Sequence, residues 1–282
     1  MFRGTLMLTN LPTLQILPLD KLILHEDHDI QRTLPLVAKL RAQGILRNPP
    51  IVMPLDDGSG RHMVLDGANR VTSLKKMEFP HIVTQVMRPN DSHVKLQTWN
   101  HVVWGMNYKT LTAEIRKIKE LTVVKVDTRK SLDAPKYKPV QVRLPDGTLL
   151  ILQETPSPLP QHIETLHKIV DVYKTRASLD RTSQTLVDSF RNIYPDLTAL
   201  VVFPSFKIKT VLKLAGQNIV LPTGITRFTA SPRALHLNYP LHELSSGKPI
   251  EYKEAYLQQW IQDRVKNKGI RHYAEATFLF DE

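Results

Sequence analysis

Three separated groups of side chains in this sequence have the types that phosphate chemistry requires. Glu26 stands in the polar run His25-Glu26-Asp27-His28-Asp29, which closes at Arg32. Asp66 opens the stretch Asp66-Gly67-Ala68-Asn69-Arg70, with Thr72 just beyond it. Far downstream, Thr226-Arg227 follows the turn Pro222-Thr223-Gly224. Two carboxylates brought together near a phosphate would suit a proton acceptor and a phosphate- or metal-linked group; a pair of solvated loop acids is the alternative. Arg70 and Thr72 would add a guanidinium and a hydroxyl, and Arg32 either a second phosphate-binding cation or a surface charge. Arg227 is of the type that grips a carboxylate through two parallel hydrogen bonds, or makes a structural ion pair. His25-x-x-His28 invites a metal reading, but a zinc site needs three or four ligands and no third partner is evident, so no metal ligand is assigned.

The elements that must position these groups can be read around them. Residues 61–65 form a short apolar strand, Gly67 supplies a turn, and residues 71–77 open a helix. A strand, a glycine turn and a helix start leave backbone N–H groups and the positive end of the helix dipole pointing outward together. Residues 14–22 read as a strand broken at Pro18. Residues 34–43 read as a helix, with Pro35 in its first turn and Gly44 as its stop. Residues 51–55 and 61–65 pair as a hairpin through Asp57-Gly58-Ser59-Gly60, and 82–87 is a further strand. Arg88-Pro89-Asn90-Asp91 marks the boundary. Beyond it a helix is expected over 94–103, carrying Trp99 and His101, and another around 112–121. Pro145-Asp146-Gly147 signals a hairpin, and 155–160 is a stiff proline-rich connector. Helices are expected over 161–176, 207–215 and 251–265, and strands over 197–203 and 234–238. The expected fold class is α+β, with a compact domain over 1–90 and a larger mixed, helix-rich domain over 91–282.

Composition narrows the function classes. The chain of 282 residues is 41% hydrophobic and 23% charged, as in an ordinary globular protein. It has no cysteine, which excludes disulfides, thiolate catalysis and zinc ribbons. No apolar run approaches the ~20 residues that span a bilayer. The first residues lack the order of a signal peptide, so a cytoplasmic protein with no membrane partner is expected. The net charge of +11 favours an anionic partner. Residues 109–143 hold ten Lys/Arg against four Asp/Glu, a surface that nucleic acid would suit, although no helix-turn-helix or zinc-finger spacing accompanies it. Walker and Rossmann glycine patterns, the protein-kinase signature and the Gly-x-Ser-x-Gly elbow are all missing.

Taken together, His25-Glu26 with Arg32, and Val64-Leu65-Asp66-Gly67-Ala68-Asn69-Arg70, resemble the N-terminal domain of the ParB/sulfiredoxin-like group. Within it, the match is closest to free serine kinases, including those of bacterial siderophore gene clusters. Thr98-Trp99-Asn100-His101 resembles their Thr-Trp-x-His segment, and Gly224-Ile225-Thr226-Arg227-Phe228, with Ser231, Arg233 and Pro240-Leu241, resembles a C-terminal block. The resemblance implies transfer of the terminal phosphoryl of a nucleotide, ATP rather than ADP, to the hydroxyl of free L-serine, giving O-phospho-L-serine with Mg²⁺. It implies Glu26 as general base and Asp66 as the acidic residue of the phosphate motif. Arg32, Gly67, Ala68, Asn69, Arg70 and Thr72 would hold the nucleotide phosphates. Trp99, His101, Thr226 and Arg227 would form the serine pocket, the last two gripping the carboxylate. The chain departs from the family pattern at Asn69, where the motif carries His; Asn can donate a hydrogen bond but cannot carry charge or titrate. A ParB-like DNA-binding regulator using the basic surface is the alternative function.

Overall fold

A computed structural model describes residues 11–28, 33–126 and 139–273. Arg32 and part of the basic run therefore lie outside the described residues.

The first ninety residues build a five-stranded mixed sheet from β1 (Leu14–Pro18), β2 (Leu22–Leu24), β4 (Ile51–Pro54), β5 (His62–Asp66) and β6 (His81–Val86). Its order is β1-β6-β4-β5-β2. The central strands are continuous apolar runs because both of their faces are covered. Met63 and Leu65 of β5 face the larger core, while Val64 between them faces the smaller one; Ile51, Val52 and Met53 of β4 divide in the same way. Helices α1 (Thr33–Gln43) and α2 (Ala68–Lys76) lie with the smaller core. Val71 and Leu74, three positions apart on one face of α2, are its buried anchors.

The remaining chain is centred on a sheet rather than on helices. Strands β8 (Asn100–Trp104), β9 (Leu121–Val126), β10 (Val140–Arg143), β11 (Leu149–Glu154), β12 (Ser178–Thr182) and β13 (Leu197–Val202) form an antiparallel sheet. Its order is β12-β8-β13-β10-β11-β9. On its inner face lie α3 (Tyr108–Ile115), α4 (Leu159–Lys174) and α5 (Ile208–Gly216). The stripe Ile163, Leu166, Ile169, Val170 and Tyr173 recurs at helical spacing on α4 and is fully buried there.

Two short ribbons join the halves. Strand β7 (Val94–Thr98) pairs with β14 (Thr226–Ala230), and β3 (Ile45–Leu46) pairs with β15 (Tyr239–Pro240). After β15 the chain returns to the first sheet through α6 (Leu241–Ser245) and α7 (Ile250–Lys266). Tyr239, Leu241, Leu244 and Leu257 complete the smaller core with Ile16 and Leu22, and Glu254 accepts the Ile16 N–H at 3.0 Å.

Three expectations about local structure are corrected. Residues 94–103 are the strands β7 and β8, separated at Trp99, not a helix. Val94, Thr98, Val102 and Val103 are β-branched, and Val102 and Val103 serve opposite faces of the sheet, which is strand periodicity. The helix expected around 112–121 starts earlier, at Tyr108, where the Asn107 side chain accepts the Lys109 N–H at 2.8 Å. No strand forms over 234–238, because His236 and Asn238 take left-handed backbone angles of 52° and 53°.

Candidate active site

A cleft of about 660 Å³ opens between the two halves, within the usual size range of small-molecule sites. One wall is the β5–α2 turn. Gly67 sits there at φ 97°, where a Cβ would come within 3.0 Å of the Arg70 guanidinium and of the Pro50 backbone. Only glycine fits both the angle and the space. The turn thus starts α2 at the edge of the cleft, and a helix N-terminus there is suited to an anion. Gly67, Ala68, Asn69 and Arg70 all line it. Thr72, one turn further along the helix, is not among the lining residues.

Arg70 is less available than its sequence position suggests. Its guanidinium donates to the carbonyl oxygens of Asn48 and Pro49 at 2.7 and 3.1 Å, and to Asp66 Oδ2 at 3.2 Å. Arg233 meets the same Asp66 oxygen. Burial alone would raise the Asp66 carboxyl, but the charges of Arg70 and Arg233 outweigh it and hold it below the usual carboxylate range. Arg233 is delivered by a segment that Gln85 clamps, donating to Pro232 O at 2.8 Å and accepting from Ala234 N at 2.9 Å.

The facing wall carries Glu26. Residues 25–27 run beside Leu221, with Leu221 N donating to His25 O at 2.8 Å and Asp27 N to Leu221 O at 2.9 Å. This pairing delivers the Glu26 carboxylate to a loop nearly 200 residues away. Oε2 accepts the Gly224 N–H at 2.9 Å, and Oε1 accepts the Thr226 N–H at 2.6 Å. The Thr226 hydroxyl also donates to Oε1. His25 braces the same hydroxyl, with Nε2 2.9 Å from Oγ1 and Nδ1 donating to Val64 O at 2.6 Å. Thr226 is therefore a partner of the carboxylate and is buried; its hydroxyl is already engaged.

Trp99 and Arg227 share this wall, with the Arg227 guanidinium 4.5 Å above the Trp99 ring. His101 does not reach the cleft. It is fully buried, its Nε2–H donating to Gly224 O at 3.0 Å while Nδ1 accepts from the Tyr173 hydroxyl at 2.8 Å. Burial pushes its pKa down to about 4, so it is a neutral strut under the loop. Its expected place in the serine pocket is corrected accordingly. Sequence reasoning missed Arg181, which lines the cleft from β12 and carries no local motif. Asn69 Oδ1 and Thr223 Oγ1, one on each wall, are buried without a hydrogen-bond partner among the described residues. No helix of the described residues is long and apolar enough to cross a membrane.

No family model matches the chain. It is 26% identical over 273 residues to the ATP-dependent L-serine kinase SbnI of Staphylococcus aureus, covering 95% of this chain and 97% of that protein. It is 31% identical over 102 residues to an ATP-dependent L-serine kinase of Staphylothermus marinus, covering 36% of this chain and 40% of that protein. Among solved structures, it resembles C-terminally truncated SbnI from Staphylococcus aureus with a TM-score of 0.71 and 23% identity, covering 89% and 96% of the two chains. A free serine kinase in complex with AMP matches with a TM-score of 0.68 and 16% identity, covering 83% of this chain and 96% of the other. At these identities the structural likeness establishes a shared fold. Along nearly its whole length, this chain is similar in sequence and in fold to proteins described as L-serine kinases.

Proposed function

We propose that this protein is an ATP-dependent kinase of free L-serine, producing O-phospho-L-serine. The observation that carries the reading is the convergence of Glu26, Thr226 and Arg227 on one cleft, from opposite ends of a chain similar over its length to L-serine kinases. Three donors hold the Glu26 carboxylate, and its remaining lone pairs are free to accept the serine hydroxyl proton. The hydroxyl oxygen then bonds to the terminal phosphorus, and the bond to the leaving diphosphate oxygen breaks. Such a transfer depends on placement and charge neutralisation more than on covalent chemistry from the protein.

The nucleotide phosphates are assigned to the start of α2 at Gly67, Ala68, Asn69 and Arg70. The base is assigned to the apolar end of the cleft, lined by Leu36, Leu40 and Leu46. Arg227 on Trp99 is assigned to the serine carboxylate. Among the described residues, no three His, Asp or Glu side chains form a metal cage. That donor set suits Mg²⁺ held mainly by phosphate oxygens and water, with Asp66 as the nearby carboxylate. Bound there, Mg²⁺ supplies charge neutralisation at the phosphates. We read residues 1–90 as a ParB/sulfiredoxin-like domain and 91–282 as the part completing the substrate pocket, with the segment from Tyr239 onward returning to the first sheet. The comparisons lend no support to the DNA-binding alternative.

Incubation with L-serine, Mg²⁺ and ATP or ADP, followed by phosphorus NMR, tests the reading. Phosphoserine should form with ATP. Glu26→Gln should lose turnover by about 10²–10⁴-fold, the usual contribution of a general base, while nucleotide binding persists. No phosphoserine with either nucleotide would overturn it.

A further inference from the structure

We propose that Arg181 is the cation that meets the phosphoryl group in flight, an inference resting on the serine kinase reading above. Phosphoryl transfer needs positive charge at the equatorial oxygens of the moving group, and most arginines of this cleft are committed elsewhere. Arg70 and Arg233 are bound to Asp66, and Arg227 lies on the Trp99 ring. Arg181 lines the same cleft with an exposed side chain whose guanidinium makes no hydrogen bond or ion pair among the described residues.

Its backbone position is nevertheless fixed. Arg181 stands opposite His101 in the β12–β8 register, and its guanidinium lies against Gly224. A Cβ on Gly224 would fall 2.3 Å from Arg181 Nε and 2.8 Å from Cζ. The same Gly224 donates its N–H to Glu26 and accepts from His101. One residue, lacking a side chain, thus aligns the base and the guanidinium side by side. The base must touch the serine hydroxyl, and the phosphorus bonds to that same oxygen. A cation held against Gly224, which also binds the base, is therefore placed to reach the phosphoryl, which leaves Arg227 for the carboxylate. As the serine O–H breaks toward Glu26 and the phosphorus changes oxygen, Arg181 donates hydrogen bonds to the phosphoryl oxygens and exchanges no proton.

The test compares Arg181→Ala and Arg181→Lys with the wild type in the phosphoserine assay. Arg181→Ala should lose about 10²–10³-fold in kcat, the usual cost of deleting one such donor, with both KM values within about threefold. Arg181→Lys should recover part of the loss, and millimolar guanidinium ion should partly rescue Arg181→Ala, which a purely structural defect would not permit. An unchanged kcat, or a loss confined to the KM for serine, overturns the assignment. A wild type that makes no phosphoserine would fail the serine kinase reading instead. Calorimetry with Mg²⁺–ADP and aluminium fluoride then decides Arg181 separately. Arg181→Ala should weaken that mixture about tenfold or more relative to Mg²⁺–ADP alone, and equal affinities, or no nucleotide binding by the wild type, overturn it.

Discussion

On the wall built from β5 and α2, Arg70 donates to two backbone carbonyls and to Asp66, and Arg233 closes on the same carboxylate. On the wall built from β12 and β14, Arg227 rests on an aromatic ring and Arg181 lies against Gly224 with no ion pair among the described residues. The first wall satisfies its charges internally and offers a ligand mainly backbone N–H groups. The second ties its backbone down through Glu26 and His101 and keeps two guanidinium groups out of ion pairs among the described residues. The contrast implies a division of labour. Changes in the first wall should register mostly as stability, and changes in the second mostly as turnover or substrate affinity.

The most severe test of the first half is Arg70→Met. The carbonyls of Asn48 and Pro49 would lose their donor, and Asp66 one of its two cations. Stranding partly buried acceptors in this way costs about 3 kcal/mol, to be read from urea unfolding. A loss below about 1 kcal/mol, with nucleotide affinity collapsing instead, would mean that Arg70 serves the ligand after all.

Acid should loosen the second wall by a comparable amount. His101 has a pKa of about 4 in the folded protein, against an ordinary value of 6.5. Between those values the unfolded chain binds a proton that the native state refuses, so stability is lost as pH falls through that window. The depression corresponds to roughly 3 kcal/mol in all. His62 and His81 are also depressed, chiefly by burial, and push in the same direction. The part due to His101 is isolated by His101→Gln, which should be less stable at neutral pH yet show a shallower decline toward pH 4. Parallel declines in the two proteins would remove the argument.

Arg227→Met should raise the KM for L-serine by about 30-fold, or roughly 2 kcal/mol for a lost charge-assisted pair. Its urea midpoint should stay near that of the wild type. A stability loss as large as that of Arg70→Met would erase the contrast between the walls.

How much of this was legible in the sequence follows from how local each feature is. The β5 strand, Gly67 and the start of α2 form one continuous stretch whose pattern is self-contained, and its geometry could be read directly. Residues 94–103 could not, because their apolar residues fit either period and only pairing with β14 and β13 decides the strand. The roles of Thr226 and His101 depend on what crosses the cleft. Spacing cannot reveal that Glu26 occupies the hydroxyl of Thr226, or that Gly224 stands between His101 and the open site. Arg181 was invisible for a related reason: its neighbours in the chain are ordinary edge-strand residues, and its significance comes from Gly224, more than forty positions away.

Two glycines give the finest comparison of the walls. Gly67 at φ 97° and Gly224 at φ 75° both hold left-handed angles that cost an alanine about 1 kcal/mol. Their surroundings differ. A Cβ on Gly67 would press at 3.0 Å on the Pro50 backbone as well as on the bound guanidinium of Arg70, neither of which can yield easily. The three atoms nearest to a Cβ on Gly224 all belong to the Arg181 side chain, which can swing away into the cleft. Gly67→Ala should therefore lose more stability than the angle alone costs, and Gly224→Ala little beyond it. The order should reverse in the assay. Gly224→Ala displaces the guanidinium beside Glu26, and kcat should fall about tenfold more than the stability change would suggest. If both variants lose stability equally and Gly224→Ala keeps its kcat, the second wall is structural like the first, and its free arginines do not act on the transferring group.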